Sequence, residues 1–141
     1  MQPILDIRGF SKSYDGKAMA VDGLSLAIEP GDIYGFIGKN GAGKTTTLRA
    51  AAGILRFDQG DILVGGISIK EDPVACKRKI AYIPDNPDLY DYLTGAQYLA
   101  YLADVFEVSA ADRQARIAEY GDALDMAERL NDLIGSYSHG M

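Results

Sequence analysis

The stretch Gly38-Lys39-Asn40-Gly41-Ala42-Gly43-Lys44-Thr45-Thr46 has the form G-x-x-x-x-G-K-[ST], and its setting decides how it reads. An apolar, β-prone segment, Ile33-Tyr34-Gly35-Phe36-Ile37, precedes it, and a helix-prone run from Thr45 to Leu55 follows. A strand, a glycine loop and a helix in that order make a phosphate cradle. The glycines let backbone N–H groups converge on a polyanion at the positive end of the helix. Lys44 supplies a cation for β- and γ-phosphates, and the Thr45 hydroxyl is placed to ligate Mg²⁺. Gly38, Asn40, Gly41, Ala42 and Gly43, with Lys44, Thr45 and Thr46, are therefore expected to hold a nucleoside triphosphate. An ordinary strand–turn–helix junction punctuated by glycine is the competing account of the same string.

Composition narrows the setting. At 141 residues the chain has the length of one domain, and a 48% apolar fraction is enough to build a core. No apolar run approaches the roughly 20 residues of a membrane span, and Met1-Gln2-Pro3-Ile4 does not open a secretory signal. The single Cys76 excludes an intramolecular disulfide and fits a reducing compartment; it reads as a bystander on a surface helix. The lone His139 forms no metal cluster by sequence. Net charge is −6, with 8 basic and 7 acidic residues in 1–70 against 6 and 13 in 71–141. An acidic second half argues against nucleic acid as the principal partner.

The pattern changes character along the chain. Ile4 to Ile7 and Ala20 to Ile28 read as strands ended by the turn formers Asp15-Gly16 and Pro30-Gly31. Asp61 to Val64, Gly65-Gly66 and Ile67 to Ile69 read as a hairpin, and Ile80 to Ile83 as a short buried strand. From Thr94 onward the periodicity is helical. Thr94-Gly95-Ala96-Gln97 has capping-box form, and Tyr98, Leu102, Val105 and Phe106 fall on one face. Ser109 with Asp112 opens a second helix whose inner face carries Ile117, Tyr120 and Leu124. The tyrosines at 82, 90, 92, 98 and 101 read as packing residues, with a binding platform as the alternative.

Taken in order, the strand leader with Tyr14, the loop at 38–46, the strand ending Tyr82-Ile83-Pro84 and the acidic helical segment resemble the ATP-binding subunit of ABC transporters. The resemblance covers the whole chain, as an N-terminal fragment ending at the family's signature motif. It implies an α/β P-loop NTPase of ABC-ATPase type: an incomplete core sheet with an antiparallel β subdomain over 1–92, and the start of a helical subdomain over 93–141.

The resemblance also implies roles for residues. Tyr14 would stack on adenine, with Val21 on the same binding surface. Lys44 and Asp85 would serve catalysis, and Thr45 and Asp85 would order Mg²⁺. The family's usual glutamine is Asp85 here, a shorter and charged oxygen ligand; a turn residue beside Pro84 and Pro87 is its other reading. Asn86 to Leu93 would face a transmembrane permease subunit. The signature motif corresponds to Tyr137-Ser138-His139-Gly140-Met141, where Ser138 and Gly140 match and would contact the γ-phosphate of ATP on the opposite subunit of a homodimer or heterodimer.

The strand ending in an Mg²⁺-binding aspartate, the water-polarising glutamate and the switch histidine of the family lie beyond the matched motifs. The chain is thus expected to bind ATP without hydrolysing it competently, and its unpaired strand edges to lead to oligomerisation, strand exchange or marginal stability. As a family member it would sit peripherally on the cytoplasmic face of a membrane. A non-hydrolysing regulatory module, or a soluble ABC-type ATPase outside transport, stands as the alternative.

Overall fold

The computed structural model describes residues 2–86 and 88–141, which form two compact units, Met1–Ile83 and Pro84–Met141. Pro87, inside the segment expected to face a membrane partner, and Met1 lie outside the described residues.

In the first unit a four-stranded antiparallel sheet has the order β2-β1-β3-β4, with β1 Leu5–Ser13, β2 Met19–Ile28, β3 Gln59–Val64 and β4 Ile67–Ser68. On β1, Ile7 and Phe10 are both buried although three positions separate them, which strict alternation forbids. A register shift between them, at a Gly9 with φ 57°, resets the alternation so that both side chains reach the core. Opposite, Gly60 at φ 85° is obligatory, because a Cβ there would run into the Arg8 and Gly9 carbonyls. The hairpin turns at Gly65 and Gly66, with φ 53° and 79°, as the Gly-Gly pair requires.

Helix α1 spans Lys44–Ala51, four residues short of the Leu55 expected from sequence. Gly53 stops it: with φ 68° it closes the end through Gly53 N–H to Ala50 O at 3.0 Å and Ile54 N–H to Arg49 O at 2.9 Å. Ala50 joins Ile7, Phe10, Ile62, Val64, Ile69 and Cys76 in one core. Cys76 is therefore not on a surface. Helix α2, Pro73–Lys77, is capped by the Asp72 carboxylate accepting from Ala75 N–H at 2.9 Å. That short turn points Cys76 inward, where its thiol donates to the Ile67 carbonyl at 3.3 Å.

The two segments expected as strands at Ile33–Ile37 and Ile80–Ile83 make no ladder among the described residues. Ile33 and Ile37 are fully exposed and Ile83 nearly so. A buried parallel strand exists only through neighbours on both edges, and none of the described residues of this unit pairs with these segments in a ladder.

The second unit holds α3 Gly95–Val105 and α4 Ala110–Ala123. Both N-termini form as the sequence dictates. Thr94 N–H donates to Gln97 Oε1 at 2.9 Å while Gln97 N–H donates to Thr94 Oγ1 at 3.2 Å, and Asp112 N–H donates to Ser109 Oγ at 3.1 Å. The expected inner faces are only half realised: Val105, Phe106, Tyr120 and Leu124 are exposed, Leu124 at 70%. Two helices and short 3₁₀ turns offer no further layer to cover them; Ile134 alone among the described apolar residues of this unit is buried. The tyrosines pack on one another, with the Tyr90 ring 5.8 Å from Tyr92 and 6.0 Å from both Tyr98 and Tyr101, while Tyr90, Tyr92 and Tyr101 keep exposed edges.

Candidate functional site in the glycine loop

Gly41 and Gly43 adopt φ 82° and 84°, which turns the chain sharply into α1. Gly43 also has no room for a side chain: a Cβ would stand 2.5 Å from the Ala20 carbonyl oxygen and 2.6 Å from Val21 Cγ2. Strand β2 thus backs the loop closely, with Val21 as the contact. The Thr47 hydroxyl donates to the Gly43 carbonyl at 2.9 Å and locks the first helical turn.

No side chain caps α1, and no acid lies in its first turn. The leading N–H groups of Lys44, Thr45 and Thr46 are free of intrahelical partners and carry the partial positive charge of the helix end. Lys44 folds over the loop mouth, its ammonium donating to the Gly38 carbonyl at 2.6 Å and the Lys39 carbonyl at 2.8 Å. Ala42 N–H donates to Lys39 O at 3.1 Å, closing the turn around Asn40 and Gly41. N–H groups without intrahelical acceptors, the Lys44 ammonium beside them and no acid in the first turn suit a phosphate chain.

Tyr14 reaches this loop. It is 64% exposed, and its hydroxyl lies 3.1 Å from Thr46 Oγ1. The turn that carries it is tied down locally: Ser13 Oγ donates to Ala18 O at 2.8 Å, and Asp15 Oδ1 accepts from Lys17 N–H at 2.9 Å and Ala18 N–H at 3.0 Å. Those N–H groups, Ala18 first and Lys17 next, hold the Asp15 carboxyl below its ordinary range.

Asp58 was invisible as a site neighbour in the sequence. Its Oδ2 accepts from Ser13 N–H at 2.7 Å and its Oδ1 pairs with Lys12 at 3.3 Å. The hydrogen bond to Ser13 is the main cause that lowers its carboxyl. A partner 45 residues away leaves no local spacing to read.

The structure thus brings Tyr14, Val21, Gly38, Asn40, Gly41, Ala42, Gly43, Lys44, Thr45 and Thr46 into one unit, with the Tyr14 hydroxyl at Thr46 and Val21 at Gly43. Asp85, Ser138 and Gly140 belong to the other unit and are exposed. There Ser138 begins a turn closed by Met141 N–H donating to its carbonyl at 3.0 Å.

A glycine loop opening a helix beside an antiparallel sheet defines a phosphate-loop nucleotide-binding protein. The ABC transporter family matches residues 21–141, and the chain belongs to that family, as an ATP-binding subunit of its kind. It is 33% identical over its whole length to YhcH of Bacillus subtilis, an uncharacterised ABC transporter ATP-binding protein of which it covers 45%. It is 33% identical over 138 residues to the linearmycin resistance ATP-binding protein LnrL of the same organism, covering 98% of this chain and 44% of LnrL. The solved structure of an ATP-binding subunit of an ABC transporter superposes with TM-score 0.89 at 28% identity, covering 98% of this chain and 57% of that one. CbiO1 of Clostridium perfringens, part of the transporter complex cbiONQ, shares the fold with TM-score 0.83 at 19% identity. The chain spans about half the length of the curated relatives it matches. Among the described residues no helix is long and apolar enough to cross a membrane.

Proposed function

We infer that this chain is the ATP-gripping part of a transport motor: it binds MgATP through the glycine loop, and the whole protein couples binding and hydrolysis to movement of a transmembrane permease. The observation that carries this is the uncapped start of α1, wrapped by a loop across whose mouth the Lys44 ammonium already bridges two loop carbonyls. Phosphate oxygens accept from those same donors more strongly, since ionised partners roughly double a hydrogen bond's strength.

Tyr14 then stacks on adenine, Val21 backs the loop, and Thr45 gives its hydroxyl to Mg²⁺. Among the described residues no cluster of three or more metal-ligating side chains exists, which suits a cation held mainly by the nucleotide's own oxygens. Asp85 supports that cation, and Ser138 and Gly140 serve the ATP of a second subunit, homologous or identical. The tyrosine-rich Asn86–Leu93 surface faces the permease, on the cytoplasmic side of a membrane. Residues 1–92 and 93–141 act as the two functional divisions. Water activation for hydrolysis comes from a carboxylate of the whole protein.

The test is isothermal titration of the chain with MgATP, before and after Lys44→Ala. Binding to the native chain and its loss in the variant, with circular dichroism unchanged, support the reading; equal affinity in both removes Lys44 from the site.

A further inference from the structure

We propose that Asp58 and Lys12 are positioning residues for the base of the bound nucleotide, acting through Tyr14; this rests on the ATP-binding reading above. Three contacts converge on that tyrosine. The Lys12 ammonium lies over its ring, 5.6 Å from the centroid. The Asp58 carboxylate holds that ammonium at 3.3 Å and, through its second oxygen, the Ser13 N–H at 2.7 Å. The Tyr14 hydroxyl meets Thr46 Oγ1 at 3.1 Å, on the phosphate-binding helix.

Each contact removes one freedom. The carboxylate fixes the strand end from which Tyr14 projects, and Asp58 N–H donates to Ser11 O at 3.1 Å, so the anchor is itself anchored to β1. The tie to Thr46 sets the ring's distance from the phosphate loop. The cation occupies one face of the ring, and the Lys12 side chain is mostly covered, at 15% exposure, so it does not swing freely. The tyrosine as a whole stays largely exposed, which leaves its other face for a planar base. The arrangement presents a stacking surface at a preset distance from the triphosphate cradle. Preorganisation of this kind raises affinity by reducing the ordering cost of binding. It adds nothing for a ligand with phosphates and no base.

That difference is the test. The native chain is titrated with MgATP and with inorganic tripolyphosphate under the same Mg²⁺, alongside Asp58→Ala, Lys12→Met and Lys12→Arg. Expected is a loss of ATP affinity of about threefold to tenfold in Asp58→Ala and Lys12→Met. Tripolyphosphate affinity stays within about twofold, which also certifies that the loop is folded, and Lys12→Arg restores ATP binding because it keeps a cation over the ring. Equal weakening of both ligands makes the pair merely structural and overturns the proposal, as does no change in either. A native chain that takes ATP no more tightly than tripolyphosphate has no base platform, and the proposal falls while the phosphate reading stands. Binding of neither ligand sinks the phosphate reading itself.

Discussion

The Lys44 ammonium donates to the Gly38 carbonyl oxygen at 2.6 Å, across the mouth of the glycine loop. The bond spans six residues and is exposed, so water replaces it readily when the ammonium is removed. Lys44→Met should therefore leave urea-unfolding stability within about 1 kcal/mol of the native chain. The same variant should weaken ATP by about tenfold or more, the worth of a charge-assisted bond to phosphate. A stability loss on the scale of the binding loss would mean that Lys44 serves the fold rather than the ligand.

Gly41 and Gly43 offer a matched pair, because both have φ near 83° but differ in what surrounds them. Nothing lies within 4 Å of a Cβ on Gly41, whereas one on Gly43 meets Ala20 and Val21 of β2. Gly41→Ala should cost only the left-handed backbone term, about 1–2 kcal/mol. Gly43→Ala should add an overpacking cost of about 1–3 kcal/mol and push α1 off the sheet. Chemical denaturation of the two variants side by side measures the difference; equal losses would show that β2 does not press on the loop.

These features were legible in the sequence to unequal degrees, for physical reasons. The glycine loop, the Gly65-Gly66 turn and the capping residues Thr94, Gln97, Ser109 and Asp112 act within a few positions, so local spacing reveals them. Gly53 ended α1 early by the same local rule, but it sits inside an apolar run that masks it. Cys76 was misread as a surface residue because α2, five residues long, carries no readable period. Asp58 escapes local reading because its partners Lys12 and Ser13 lie at the end of β1, 46 and 45 residues away in sequence. Val105 and Tyr120 lie in helices as the periodicity reads, while Phe106 and Leu124 stand one residue past the ends of α3 and α4; periodicity names a face and neither its exact end nor what covers it.

The capping box at α3 gives a clean stability measurement. Thr94→Ala removes the acceptor for Gln97 N–H and should cost about 1 kcal/mol, seen as a lower urea midpoint. Gln97→Ala removes the reciprocal acceptor for Thr94 N–H. Because the two bonds brace one helical turn, the double variant should lose less than the two single losses added. Strict additivity would mean that the box does not act as a unit.

Acid should loosen the Tyr14 turn. The Asp15 carboxyl is lowered chiefly by the Ala18 N–H, then by that of Lys17, and the Asp58 carboxyl chiefly by the Ser13 N–H. A carboxyl whose folded value is depressed contributes stability above its unfolded value, near about 3.9, and loses it as pH falls through the folded value. Unfolding free energy should therefore decline as pH drops from about 5 toward 2. Asp58→Asn, which cannot titrate, should flatten part of that slope. An identical slope in the variant would show that Asp58 carries no linked proton.

The segment Ile33-Tyr34-Gly35-Phe36-Ile37 should govern self-association. It is β-prone, uncharged and free of proline, its two isoleucines are fully exposed, and no ladder among the described residues engages its backbone. Such a segment is a template for pairing with another copy, since each joined strand satisfies a row of N–H and C=O groups and removes apolar side chains from water. Burying one isoleucine is worth about 1.5–3 kcal/mol; association costs about 4–15 kcal/mol, so both isoleucines on both copies and the ladder hydrogen bonds must act together to sustain it. Light scattering coupled to size exclusion should find the chain in concentration-dependent oligomers, and Ile33→Lys with Ile37→Lys should shift it toward monomer. The mechanism is repulsion between like charges brought opposite one another, so added salt should partly restore association in the variant. A native chain that elutes as a monomer at every concentration would show that these side chains, though exposed, do not recruit a second copy.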